Sequence, residues 1–186
     1  MSPWLPYTPG SRTFPELPRE LELQLRAIAP SHDGQIEYRP CMATLRDGRV
    51  LERVYVVDAQ SYISTWGVWP EDDSGKHALD IAEVIRLEES PHRLPPDIAD
   101  RIYRAGESGM GYAIFTIVFR DGTKQAYVSG NAVDFISYPS GQSAGSIAQV
   151  LLHQGRADTA LTDHSPYCWC LFGTGSSKHN SKRWAG

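Results

Sequence analysis

Residues 111–122, reading Gly-Tyr-Ala-Ile-Phe-Thr-Ile-Val-Phe-Arg-Asp-Gly, constrain the fold more than any other part of the chain. Eight positions in a row, 112–119, are almost all apolar and rich in aromatic and β-branched types. The run stops at Asp121-Gly122, the strongest short hairpin signal. An alternating pattern would give a strand with one wet face. A near-continuous run gives a strand covered on both faces, with the rest of the chain packed around it.

The chain has room for one such core. It has 186 residues, 41% apolar and 22% charged, as in ordinary globular domains. Pro and Gly together number 29, which favours turns and short strands over long helices. No run approaches the roughly 18 apolar residues of a membrane span. The opening Met-Ser-Pro-Trp-Leu-Pro lacks a basic flank and an apolar stretch, so a cytoplasmic location is expected.

The net charge of −4 conceals an asymmetry. No acid follows Asp163, whereas Lys178, Lys182 and Arg183 do. Setting those three aside leaves 15 basic against 22 acidic residues, so positions 1–163 carry −7. An acidic body opposes phosphate binding, and nucleic acid is not expected as a partner.

Four prolines within residues 1–16 predict an extended N-terminal arm. Leu17, Leu21, Leu25 and Ile28 share a helical face, with Pro18 at its start and Pro30 as its stop. Residues 21–26 also alternate as a strand would, but their types are helix formers, and the helix leaves Leu23 on the wet face. A turn at 31–34 leads to two strands over 36–57 folded about Asp47-Gly48, with Leu45 opposite Val50 and Cys41 on the same face as Val54. Further expectations are a strand over 61–66, a turn-rich loop over 67–76, and a strand or short helical segment over 78–87. Pro95-Pro96 opens a helix ending at Ala105, with Gly106 just beyond it. After the central hairpin come strands over 131–139 and 146–153.

Shifting the sequence by 74 positions lays Arg46-Asp47-Gly48 on Arg120-Asp121-Gly122, Leu45 on Phe119 and Val54 on Val128. Asp-Gly hairpins look alike in any protein; the alternative is duplication of a β-meander. The expected fold is therefore α+β: a mostly antiparallel curved sheet or small barrel built from two β-meanders, with two short helices. Its parts are an arm (1–16), a single α+β domain (17–156) and a flexible C-terminal tail (157–186).

Chemistry is sparsely marked. Gly106-Glu-Ser-Gly-Met-Gly111 is near the nucleophile-elbow pattern, but its last glycine falls one place late and it runs helix–turn–strand rather than strand–turn–helix. The ordinary reading is a joint between helix and strand. The functional one puts Ser108 and Glu107 at a pocket, helped by a distant histidine such as His92. Of six scattered histidines, His92 in the Pro-flanked break and His153 at a strand end are the two of interest. Asp134 lies within an apolar segment; facing inward, it must find a partner or shift its pKa. Cys168 and Cys170 supply two of the four ligands that zinc needs, so neither metal nor cofactor is expected.

Trp66-Gly-Val-Trp69-Pro-Glu71-Asp72-Asp73 places two aromatic anchors beside three acids. Such a loop can dock a basic protein, or its tryptophans can simply cap the core. The first function expected is a non-catalytic binding protein that neutralises or regulates a basic protein partner through Trp66, Trp69, Glu71, Asp72 and Asp73. Immunity proteins are like it in size and charge alone. The alternatives are a small-ligand binder or hydrolase-type enzyme at the 106–111 corner, and a homo-oligomeric structural subunit.

Overall fold

The structure is a computed structural model that describes residues 10–163 and 166–174. It has mixed α+β content, with three α-helices and two sheets that do not close into a barrel. The first half contains α1 (Arg19–Ala27), β1 (Ser31–Asp33), β2 (Ile36–Leu45), β3 (Val50–Asp58), α2 (Ala59–Trp66), β4 (His77–Asp80) and β5 (Val84–Glu88). The second contains α3 (Pro96–Ala105), β6 (Ala113–Phe119), β7 (Lys124–Ser129), β8 (Ile147–Leu152) and β9 (Thr162–Asp163), and the chain then returns as β10 (Cys168–Phe172). One sheet has the order β1-β2-β3-β10-β4 with β5 also beside β2; the other is β8-β6-β7-β9.

Strand β6 is buried at every position, as its apolar run requires. Phe115, Ile117 and Phe119 pack with Ile98 and Ile102 of α3. On the other face, the Thr116 hydroxyl donates to the Gln154 carbonyl at 3.0 Å, so the chain after β8 covers it. Helix α1 forms where Leu21, Leu25 and Ile28 can be buried while Leu23 stays 59% exposed. The rejected strand would have buried Leu23 with Leu21 and Leu25.

The two hairpins are closed alike. The Leu45 N–H donates to Arg49 O and the Phe119 N–H to Thr123 O, both at 2.9 Å. Asp47 and Asp121 each accept the amide two residues on, and Gly48 and Gly122 both sit at φ 86°. The likeness extends past the turn. Each hairpin is preceded by a helix, and a later strand crosses back to its first arm, β5 to β2 and β8 to β6. Helix α1 packs on β5 as α3 does on β8. Turn chemistry alone would not repeat a helix and a returning strand, so the halves share one plan. They are not sequential meanders, because the third strand pairs with the first arm rather than the second.

Several expectations are corrected. Residues 61–66 belong to helix α2, since Asp58 caps the Ser61 N–H at 2.8 Å and Gly67 at φ 70° stops it. Residues 78–87 hold two strands separated by a short 3-10 turn. The 31–34 turn is itself a small hairpin, β1 against β2. Leu45 does not face Val50: Thr44 does, because a bulge between Cys41 and Ala43 shifts the register, while Cys41 pairs with Val54 as expected. Residues 131–139 make no strand; they lie against the Pro-flanked break, with an isolated bridge between Arg93 and Phe135. Among the described residues there are three α-helices rather than two.

The largest correction concerns the tail. Residues 168–172 form β10, parallel to both β3 and β4, and Trp169 is fully buried. Only part of the tail lies among the described residues, and within it Trp169, Cys170 and Leu171 belong to the core. At the other end, Gly10 onward docks as an arm: the Gly173 N–H donates to Pro15 O at 2.8 Å. Phe14, Tyr55, Tyr62, Trp66, Tyr103, Phe135 and Trp169 together form an aromatic seam joining the two halves.

Candidate functional site: a cavity on the seam

The 66–73 loop is turned inward. Trp69 is 5% exposed, donates its indole N–H to Gly10 O at 3.2 Å, and has the Phe14 ring 5.1 Å away. Trp66 packs edge-on to Trp169 at 5.4 Å, with the Lys76 ammonium 4.0 Å over its ring. Arg12 from the arm bridges Glu71 and Asp72 at 3.2 and 2.7 Å. Asp73 pairs with Lys76 at 3.5 Å. The tryptophans therefore serve the seam, and the three acids already hold cations of this chain.

At the 106–111 corner, the Gly106 N–H ends α3 by donating to Tyr103 O at 3.1 Å. Glu107 accepts the Gly111 N–H at 3.0 Å. The Asn131 amide, oriented to satisfy its neighbours, donates to the other Glu107 oxygen at 3.1 Å and to Gly111 O at 3.3 Å. Ser108 meets a histidine, but it is His153: Oγ and Nδ1 are 2.8 Å apart. Because the Ala105 carbonyl at 3.2 Å takes the Nε2 proton, Nδ1 is left to accept from the serine. His153 is held at φ 57°, among the described residues the one non-glycine with positive φ. His92 is elsewhere, 2.9 Å from Glu52, and takes no part in this corner.

A serine–histidine contact is not by itself a nucleophile. Ser108 Oγ also accepts the Ile114 N–H at 2.8 Å, and Ser108 N donates to Tyr112 O at 2.8 Å. Those bonds fasten the loop onto the start of β6. Ser108 is absent from the wall of the neighbouring cavity, where a substrate would have to sit.

That cavity, about 220 Å³, opens on the seam. Asp33, Thr65 and Trp66 come from the first half; Ile102, Tyr103, Gly106, Glu107, Ala113, Gly130, Asn131 and Val133 come from the second. Among the described residues, no Lys, Arg or His is on its wall. Burial raises the Asp33 carboxyl above its ordinary pKa. Behind the wall, the Tyr103 hydroxyl donates to Asp134 at 2.5 Å and accepts the Val133 N–H at 3.1 Å. Asp134 faces inward and is fully buried. Burial lifts its pKa, opposed by the Ser31 and Tyr103 hydroxyls, the Arg93 charge and the Tyr55 hydroxyl.

Sequence reasoning placed Glu107 and Ser108 at this corner and singled out His153 and Asp134. It missed Asp33, since Asp before Gly34 reads as ordinary turn chemistry. It could not see that residues 65–66 and 130–133 converge. Among the described residues, no three His, Cys, Asp or Glu side chains gather to hold a metal ion, and no helix is long and apolar enough to cross a membrane. The chain matches no family model, no curated protein and no solved structure.

Proposed function

We propose that this chain is a non-catalytic binding protein whose ligand enters the seam cavity, with neutralisation or regulation of a basic protein partner as the role its acidic balance favours. The observation that carries this reading is the cavity itself, which draws its wall from both halves at their junction, where binding sites are preferentially built. The 66–73 loop is a weaker candidate, because a partner would have to displace Arg12 and Lys76 from its acids.

The test is a fragment screen read by amide chemical shifts, repeated on Thr65→Trp, which fills the mouth from an exposed position. Perturbed amides should cluster at Thr65, Glu107, Gly130 and Asn131, and the perturbation should disappear in the variant. Hits that gather at residues 71–73, or survive Thr65→Trp, would place the site elsewhere.

A hydrolase-type site is the second reading, favoured by the 2.8 Å contact of Ser108 with His153 and opposed by the other bonds on that oxygen. It predicts covalent labelling by a fluorophosphonate that Ser108→Ala abolishes. The binding reading predicts no labelling of either protein.

A further inference from the structure

The hydrogen-bonding inventory of the cavity wall specifies the charge of what it holds. All but one of the side-chain donors on the wall are spent within the protein. Thr65 donates to Ser61 O at 3.0 Å, Tyr103 to Asp134, and Asn131 to Glu107 and Gly111. The exception, the Trp66 indole N–H, finds no hydrogen-bond partner among the described residues but is buried, out of reach of a ligand in the cavity. What remains on the side chains is acceptor capacity. Both Glu107 oxygens already take a donor, which leaves Asp33 as the carboxyl that no side chain or amide of the described residues satisfies. Its pKa, raised by partial burial, agrees with a carboxylate that has lost part of its water and gained no counter-ion in exchange.

Resting on the binding reading above, we infer that the seam cavity holds a protonated amine or guanidinium on an apolar stem, with Asp33 as its counter-ion. A cation with several N–H donors matches a wall whose accessible side-chain capacity is to accept, and its charge-assisted bond to Asp33 is the strong kind. Ile102, Ala113 and Val133 offer apolar surface for the stem, and the aromatic rings of Trp66 and Tyr103 tolerate a nearby cation. Among the described residues, anionic groups such as phosphate or carboxylate find no accessible free side-chain donor and meet two carboxyls. A lysine or arginine side chain on a basic protein and a free alkylamine share this chemistry.

The probes are n-butylamine, N-butylguanidine, butanol and butyrate, together with capped lysine and arginine peptides, titrated into the full chain and followed by amide shifts. Butylammonium or butylguanidinium should perturb Thr65, Gly130 and Asn131 while butyrate does not, and Asp33→Asn should weaken the cations about tenfold or more, the size of one lost charge-assisted bond. Affinity should also fall as the pH is lowered through the Asp33 titration. Tighter binding of the peptides than of the free amines assigns the cation to a protein; the reverse assigns it to a small molecule. If butyrate or butanol binds as well as the cations, or Asp33→Asn binds them undiminished, the cavity still binds ligands but the cation assignment is overturned. If no probe moves these amides, the binding reading itself falls.

Discussion

Trp169→Ala is expected to cost about 3–5 kcal/mol, the range for removing a large aromatic side chain from a packed core. Trp169 is fully buried on the strand that lies between β3 and β4. Its ring stacks on Tyr55 at 4.8 Å and meets Tyr62 at 5.0 Å, Trp66 at 5.4 Å and both Tyr38 and Tyr167 at 5.7 Å. Truncation would leave that seam without its centre, and the surrounding rings belong to four different segments that cannot all close the gap. Against a typical total of about 5–15 kcal/mol, such a loss is a large share of the stability. The midpoint of thermal unfolding should drop by about 6–20 °C for a chain of this length. Urea denaturation followed by far-UV circular dichroism measures it. Cys168→Ala is the control, since Cys168 lies one residue earlier, only half-buried and on the opposite face of the same strand. A loss at Trp169 no larger than at Cys168 would mean that β10 does not hold the seam together.

The same strand shows where sequence could and could not speak. The hairpins were legible because an Asp-Gly turn fixes its own geometry locally, and β6 because a continuous apolar run has few alternatives to burial on both faces. Helix α3 was legible from Pro96 at its start and Gly106 at its end. Helix α2 was not, because Tyr62, Ile63 and Trp66 suit a strand, and the deciding cap from Asp58 lies before the apolar residues begin. Strand β10 failed for a different reason. Five residues flanked by Pro166 and glycine carry no period, and their place between two strands more than eighty residues earlier is a long-range pairing that no local signal encodes. The site divides in the same way. Glu107 and Ser108 stood out through the glycines around them, whereas Asp33 acquires its meaning only when Tyr103 and Asn131, distant in sequence, come to face it.

Tyr103→Phe should cost about 2–4 kcal/mol at neutral pH, because one hydroxyl satisfies two buried groups. It donates to the Asp134 carboxylate and accepts the Val133 N–H. A hydrogen bond to a charged acceptor is worth about 1.5–3 kcal/mol, and an orphaned buried amide adds a penalty of similar order. Asp134→Asn separates the charge from the bond, since asparagine still accepts from Tyr103 but does not ionise. Burial holds the folded Asp134 carboxyl above its ordinary 3.8, so the folded state binds that proton more tightly than the unfolded state does. The contribution is fully present below 3.8 and is lost as pH rises through the raised folded value. Wild type should therefore lose stability relative to Asp134→Asn as pH increases from about 4. Ser31, Tyr55 and Arg93, which also face Asp134, favour its charged form and so oppose burial; the difference reads their net effect, in which burial prevails. Paired urea titrations across pH measure that difference, and the double variant gives the coupling of Tyr103 to Asp134 directly. Because the Tyr103 ring lines the seam cavity while its hydroxyl points behind it, Tyr103→Phe should weaken the fold and leave alkylammonium binding in place. Equal losses in both would mean that the buried network and the cavity are one cooperative unit; a pH-independent difference between wild type and Asp134→Asn would mean that Asp134 keeps its ordinary ionisation in the folded chain.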